Sequence, residues 1–275
     1  DGTIKSIVRF ERNFAHQLIE EFMLAANEAV AETFTVNKRK AIYRIHELPD
    51  RKKVMDFSDF AKTLSLDLPK AELTPQWFGE VLEKCEDSPV RYVVNNLLLR
   101  TMQQARYSFL NKGHFALAAE NYTHFTSPIR RYPDLMVHRE LCSLIAKKGS
   151  SGTSDREDSD EYLSTRERRA VDAEREINDR LKLLYIEKHL GESFTAIISG
   201  VTDFAFFIEL TDTFISGSVP IEDLTDDYYL FDGKQHRLIG EISGRVFQIG
   251  DEIEVVASRV EKNKRRIIFK PTLSK

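Results

Sequence analysis

The sequence predicts an α+β chain in which a largely helical first part is followed by a small closed β-barrel. Two observations carry this. Apolar residues recur at helical spacing from Glu11 to Phe34 and again from Glu161 to His189. From Glu192 to Pro271 the pattern changes to short strands, SFTAIISGV, AFFIEL, ISGSVPI, EIEVVASRVEK and RRIIFKP, punctuated by Gly and Asp. Strands so short and so regularly interrupted are the pattern of a closed barrel. At 275 residues the chain has room for one large or two modest domains, and the change of pattern divides it into 1–190 and 191–275.

Taken in order, Phe14, Leu18, Phe22, Ala25 and Ala29 form an apolar stripe that Ala15, Ile19, Met23, Ala26 and Val30 widen, which predicts a long, mostly buried helix. Glu20 and Glu21 sit in its middle, where one of two adjacent carboxylates must point nearer the buried side. A solvated surface glutamate explains either of them equally well on the residues alone. IYRIHELPD then reads as a short alternating strand ending at Pro49. His46 within it could ligate a metal, but an imidazole with no carboxylate pair spaced near it is more often structural. Asp50 to Leu66, Thr74 to Lys84 and Ser88 to Tyr107 read as three helices, with Trp77 and Phe78 as core residues, and Gly113 marks a turn before the next apolar run.

The densest stretch is Tyr122 to Arg139, YTHFTSPIRRYPDLMVHR. Pro128 and Pro133 keep its middle from being an ordinary helix or central strand, so Arg130 and Arg131 are offered from a stiff turn. From Leu135 onward Leu135, Met136, Leu141 and Ile145 predict a helix, with Asp134 placed to cap its first turn. Paired guanidiniums running into a helix N-terminus are two devices for holding an anion such as phosphate. A proline-stiffened turn with merely solvated arginines accounts for the same residues.

Lys147 to Asp160, KKGSSGTSDREDSD, has no large apolar residue and reads as a solvated, disordered loop. Its carboxylates, Asp155, Glu157, Asp158 and Asp160, lack the fixed geometry a catalytic metal needs. The helix that follows has Leu163, Ala170, Ile177, Leu181, Leu184 and Tyr185 on its apolar side and is expected to pack on the first part and lead into the barrel. Cys85 and Cys142, far apart and without histidine spacing, argue against a disulfide framework or a zinc site and are expected to be buried thiols. There is no apolar run of roughly 20 residues and no signal-peptide pattern in DGTIKSIVRFERN, so no membrane contact and a cytoplasmic location are expected. A net charge of −4 does not exclude nucleic acid, because clustering of basic residues matters more than their sum.

YTHFTSPIRRYPDLMVHR resembles the signature of the RNase II / RNase R family of processive 3′-to-5′ exoribonucleases. The similarity runs upstream through HQLIEEFMLAAN, IYRIHELP, LLLRTMQQARY and NKGHFALAAENY, and downstream through FTAIISGVTDFAFFIEL. The long YYLFDG…LIGEISG insert is similar to the RNase R branch rather than the RNase II branch. The resemblance implies that 1–190 is the C-terminal portion of an RNB nuclease domain and 191–275 a five-stranded OB-fold RNA-binding barrel of the S-one type.

For individual residues the resemblance implies Arg130 as the catalytic residue at the scissile phosphate and Glu20 as a contact to the sugar of the terminal nucleotides. Arg131 is expected to bind RNA beside Arg130. Phe204 and Phe207 fall where rings stack on bases, and Arg265, with Arg266, Lys262 and Lys264, could track phosphates. Ala205 stands where many relatives have Gly, and Pro220 where many have His. Burial in the barrel must hold for at least one of Phe204, Phe206 and Phe207, because neighbours on a strand point to opposite sides. Hydrolysis in the family uses magnesium-activated water, with the metal held by aspartates of a DxxxxxDxDD motif that is absent here, so this chain itself is expected to hold no metal ligands. The expectation is therefore part of a magnesium-dependent nuclease that binds single-stranded RNA as a monomer and works with an N-terminal remainder of the same protein. A non-catalytic RNA-binding protein is the alternative.

Overall fold

The computed structural model describes residues 4–8, 12–64, 66–88, 90–150, 159–233 and 235–272. Its first helix, α1 (Phe14–Val36), opens with a reciprocal cap: Asn13 Oδ1 accepts the His16 N–H and the His16 ring accepts the Asn13 N–H. The helix is not mostly buried, contrary to the expectation. Asn27, Ala31 and Phe34 are buried, whereas Phe14, Leu18, Ile19 and Phe22 are 42 to 76% exposed. Periodicity marks the apolar face, but among the described residues nothing covers its first half.

Strand β1 (Tyr43–Ile45) pairs antiparallel with β2 (Arg106–Ser108). Between them come α2 (Arg51–Thr63), α3 (Pro75–Lys84) and α4 (Arg91–Thr101), the first two started by Asp50 and Thr74, whose side chains accept the N–H groups of Lys53 and Trp77. The third helix of this group stops at Thr101 rather than Tyr107, because Arg106 to Ser108 is claimed by the ladder with β1. Trp77 and Phe78 pack with Val54, Phe57, Val81 and Cys85.

Helix α5 (Tyr132–Ile145) begins before Leu135, so Asp134 lies inside its first turn and Arg131 takes the N-cap position. Cys142 is exposed rather than buried, since it lies about 200° around the helix from buried Glu140. Of the acidic loop, Asp155, Glu157 and Asp158 lie outside the described residues. Helix α6 (Ser159–Glu187) follows. Its Leu163 joins the core around Phe34, Ile45 and Tyr107, and its Leu183 and Ile186 join the barrel core. Ile177, Leu181 and Leu184, expected on the packed side, are 42 to 59% exposed: Ile177 lies in the uncovered middle of α6, and Leu184, next to buried Leu183, is turned about 100° around the helix from it.

The barrel uses β3 (Ser193–Val201), β4 (Ala205–Leu210), β5 (Ser216–Pro220), β9 (Glu252–Glu261) and β10 (Arg266–Pro271), closed in the order β10-β5-β4-β3-β9. The β10–β5 pair is parallel and the rest are antiparallel. The insert between β5 and β9 is a sheet of its own, β6 (Tyr229–Asp232), β7 (Arg237–Gly240) and β8 (Val246–Gln248). Val93 of α4 shares a core with Phe206, Ile208 and Phe269, so the helices and the barrel meet through apolar packing.

Candidate nucleic-acid interface

The arginine loop is pinned before it is exposed. The segment leading into it is tied to β1 by Arg44 N–H to Tyr122 C=O (2.9 Å) and by Thr123 Oγ1 to Ile42 C=O (2.6 Å). It is tied to α1 by Asn27, which donates to Tyr122 Oη and accepts from Phe125 N–H, each at 3.0 Å. At the loop itself, Ser127 C=O accepts the N–H groups of Arg130 (3.3 Å) and Arg131 (3.1 Å), closing a turn in which Pro128 fixes φ. Ile129 is 97% exposed, and Arg130 beside it is exposed with no side-chain hydrogen bond or ion pair among the described residues.

Arg131 goes the other way. Its Nη2 donates to Asp134 Oδ1 at 2.8 Å, and Asp134 is fully buried. The two guanidiniums are thus not offered side by side, because a buried carboxylate requires a partner and takes the nearer one. Glu20 is exposed and ion-paired with Arg12. Seven residues separate it from Asn27, two helical turns, so it lies on the same side of α1 as the contact to Phe125 and about 10 Å along the axis from it.

Under the loop sits a cluster of rings. Tyr107 Oη and His124 Nδ1 are 2.8 Å apart, and the Arg44 guanidinium lies 4.8 Å over the Tyr107 ring while pairing with Glu167 of α6. Burial first, then the charge of Glu167, pushes the Tyr107 phenol up, so it stays protonated and donates. Burial, then the positive charges of Arg131 and Arg44, holds His124 down at about 3, and burial, then His46 and Arg44, holds His114 at about 4. His124 is therefore a neutral imidazole whose Nδ1 accepts from Tyr107. His46 and His114, both buried, have rings 5.3 Å apart, and among the described residues their Nδ1 atoms have no hydrogen-bond partner. Among the described residues no group of three or more His, Cys, Asp or Glu is placed to hold a metal, so the magnesium implied by the resemblance finds no ligand set in them.

On the barrel, Phe204 is 63% and Phe207 38% exposed, their rings meeting edge-on at 6.3 Å, while Phe206 is fully buried and stacks on Phe247. Both exposed rings line a groove of about 640 Å³ together with Arg259, Lys264, Arg265 and Arg266. Gly217 forms part of this groove, and a Cβ there would run into the Phe269 ring, so β5 can lie over Phe269 only as glycine. The basic residues are less free than expected. Arg265 pairs with Glu176 (3.2 Å), Lys262 with Glu187 (2.7 Å), Lys264 with Glu261 (3.5 Å) and Arg259 with Asp223 (3.0 Å). Such surface pairs are weak, and a phosphate can compete for them.

Comparison with known proteins decides the family. The RNB domain matches residues 1–147, more than half of the chain. The chain belongs to the RNB family. In this RNB chain the S1 RNA binding domain matches residues 187–270, which span the barrel strands up to the last residue of β10. Ribonuclease R of Aquifex aeolicus (strain VF5) is 41% identical over 274 residues, 98% of this chain and 39% of that protein. Ribonuclease R of Escherichia coli (strain K12) is 39% identical over 279 residues, 97% of this chain and 34% of that protein. The chain thus spans about two fifths or less of the length of these relatives. Among solved structures, Mycoplasma genitalium RNase R in complex with ribose methylated single-stranded RNA matches at a TM-score of 0.86 and 30% identity, over 95% of this chain and 42% of that one. Yeast Ssd1, a pseudonuclease, matches at 0.71 and 25% identity, over 83% and 29%. The RNB match and the five-stranded barrel agree with the fold class read from the sequence.

Sequence reasoning missed Asp134 as the partner that turns Arg131 inward, Tyr107 as the partner of His124, and Gly217 under the groove. The i, i+3 spacing of Arg131 and Asp134 was a usable signal for the first. The other two depend on contacts between distant segments.

Proposed function

We propose that this chain is part of a processive 3′-to-5′ exoribonuclease of the RNase R type that hydrolyses single-stranded RNA to nucleoside 5′-monophosphates. The observation that carries the reading is Arg130, a guanidinium without a partner among the described residues, held out from a turn that is pinned at both ends. A preset cation at the scissile phosphate stabilises the negative charge that builds as water attacks. Glu20 would hold the ribose of the terminal nucleotides. Phe204 and Phe207 would offer sequence-tolerant stacking platforms, and Arg265 would exchange Glu176 for a phosphate as the strand is drawn in. Support comes from relatives named ribonuclease R and from the similar Mycoplasma genitalium RNase R bound to single-stranded RNA.

Magnesium, when bound, would supply the activated water, and its aspartate ligands belong to an N-terminal remainder of the same protein. The exposed first half of α1 is the apolar seam on which that remainder would pack. The division at 190/191, a monomeric state and a cytoplasmic location complete the reading. The likeness to Ssd1 favours a second reading, an RNA-binding protein without nuclease activity.

One experiment separates the readings. The isolated chain, checked for a cooperative thermal transition, should bind single-stranded RNA with an affinity that falls steeply with salt, and should not shorten it even with magnesium. The parent protein should shorten it from the 3′ end. Shortening by the purified chain would mean that metal ligands lie within it, and no shortening by the parent would favour the pseudonuclease reading.

A further inference from the structure

Asp134 is the most deeply buried carboxylate beside the arginine loop, and its contacts exceed what a helix start requires. Its Oδ1 accepts both the Ser127 N–H at 2.7 Å and the Arg131 Nη2 at 2.8 Å. Ser127 C=O in turn accepts from the N–H groups of Arg130 and Arg131. One oxygen therefore ties the first residue of the turn to the residue that follows it, and Pro128, Ile129 and Arg130 are left as a short bow with both ends fixed. Asp134 Oδ2 and Arg131 Nε are buried, and neither has a hydrogen-bond partner among the described residues.

We propose that Asp134 and Arg131 form a clasp that positions Arg130, and that Arg131 acts through this clasp rather than by touching RNA. The inference rests on the reading of Arg130 given above and assigns the neighbouring pair a role within the same site. If Arg131 is drawn inward by a buried charge, the next side chain toward the apex must leave the turn outward, and the backbone bonds at Ser127 keep it there. Asp134 is then a positioning residue, and losing it should misplace the guanidinium without removing it. Misplacement of a catalytic group by about 1 Å can cost up to about 100-fold in rate.

The test uses the parent protein. Asp134→Asn keeps the shape and an acceptor for Ser127 N–H but removes the charge that draws Arg131 in. Arg131→Met removes the other half, and Arg131→Lys keeps charge without the planar fork. Single-turnover cleavage should fall by about 10- to 100-fold in Asp134→Asn and Arg131→Met, with RNA affinity changed by less than about threefold. The double variant should be no slower than either one, and Arg131→Lys should recover part of the rate. Wild-type rates in Asp134→Asn, additive losses, or an affinity loss that explains the whole defect would overturn the clasp.

A second readout does not depend on cleavage. With phenylglyoxal and mapping by mass spectrometry, Arg131 should resist modification in the unsubstituted protein and become reactive in Asp134→Asn, whereas RNA should shield Arg130. Equal reactivity of the two arginines before substitution would also overturn the clasp. If Arg130→Ala cleaves normally while Arg131 still resists the reagent, the catalytic reading of Arg130 fails and the clasp does not.

Discussion

Arg130 and Arg131 carry the same side chain one residue apart, and their surroundings make them different groups. Arg131 has a buried carboxylate at 2.8 Å, and Arg130 has no ion-pair partner among the described residues. A guanidinium preset against developing charge favours the transition state over the ground state, so its removal should cost turnover far more than binding. In the parent protein, Arg130→Ala should slow single-turnover cleavage by on the order of 100-fold or more at little loss of RNA affinity. Arg130→Lys should recover little, because an ammonium keeps the charge but not the two-pronged geometry. Near-normal cleavage by Arg130→Ala would remove it from the chemistry. At this scale the sequence showed that two arginines leave a stiff turn. It could not show which one turns inward, since that depends on Asp134 being buried, and burial is set by α5 packing on β1 and α1.

Among the elements, β4 was the most legible. Alternation requires Phe206 to oppose its neighbours, and it is fully buried while Phe207 is 38% exposed. The two positions should therefore fail differently. Phe204→Ala or Phe207→Ala should weaken binding of single-stranded RNA by about 1–3 kcal/mol and leave the barrel's thermal transition in place. Phe206→Ala, which empties the space against Phe247, should cost about 3–5 kcal/mol of stability. Titrations and melts on the three variants check this, and RNA binding unchanged in both exposed variants would move the RNA path off this groove. Helix α1 was less legible for an opposite reason. An apolar stripe announces that a face is to be covered, but not by what, and Phe14, Leu18, Ile19 and Phe22 have no cover among the described residues. The basic residues in and beside the groove were legible as charges but not as pairs, because Glu176 reaches Arg265 and Glu187 reaches the neighbouring Lys262 from α6 across a gap in sequence.

Across the whole molecule, the loop, β1, β2 and α1 are joined through buried rings, and this gives folding a pH dependence. In the unfolded chain a histidine takes up a proton near pH 6.5. In the fold, His124 is held down at about 3 and His114 at about 4, chiefly by burial, and burial lowers His46 as well. The unfolded state therefore binds more protons throughout the window between the folded and unfolded values. Stability is full above about pH 6.5 and is lost progressively as pH falls toward the folded values. Carboxylates work lower on the scale. Glu47, held below its ordinary range by Lys112 and Arg106, gives up its contribution only as pH falls through that range. Between pH 7.5 and 5.5 Glu47 keeps its charge while the three buried histidines favour the protonated unfolded chain, so the urea midpoint should drop across this interval at constant ionic strength. His124→Gln, which retains an acceptor for the Tyr107 hydroxyl but cannot titrate, should flatten that drop. A midpoint independent of pH over this interval would mean that the rings under the arginine loop reach water, and that the loop is not anchored to a buried base.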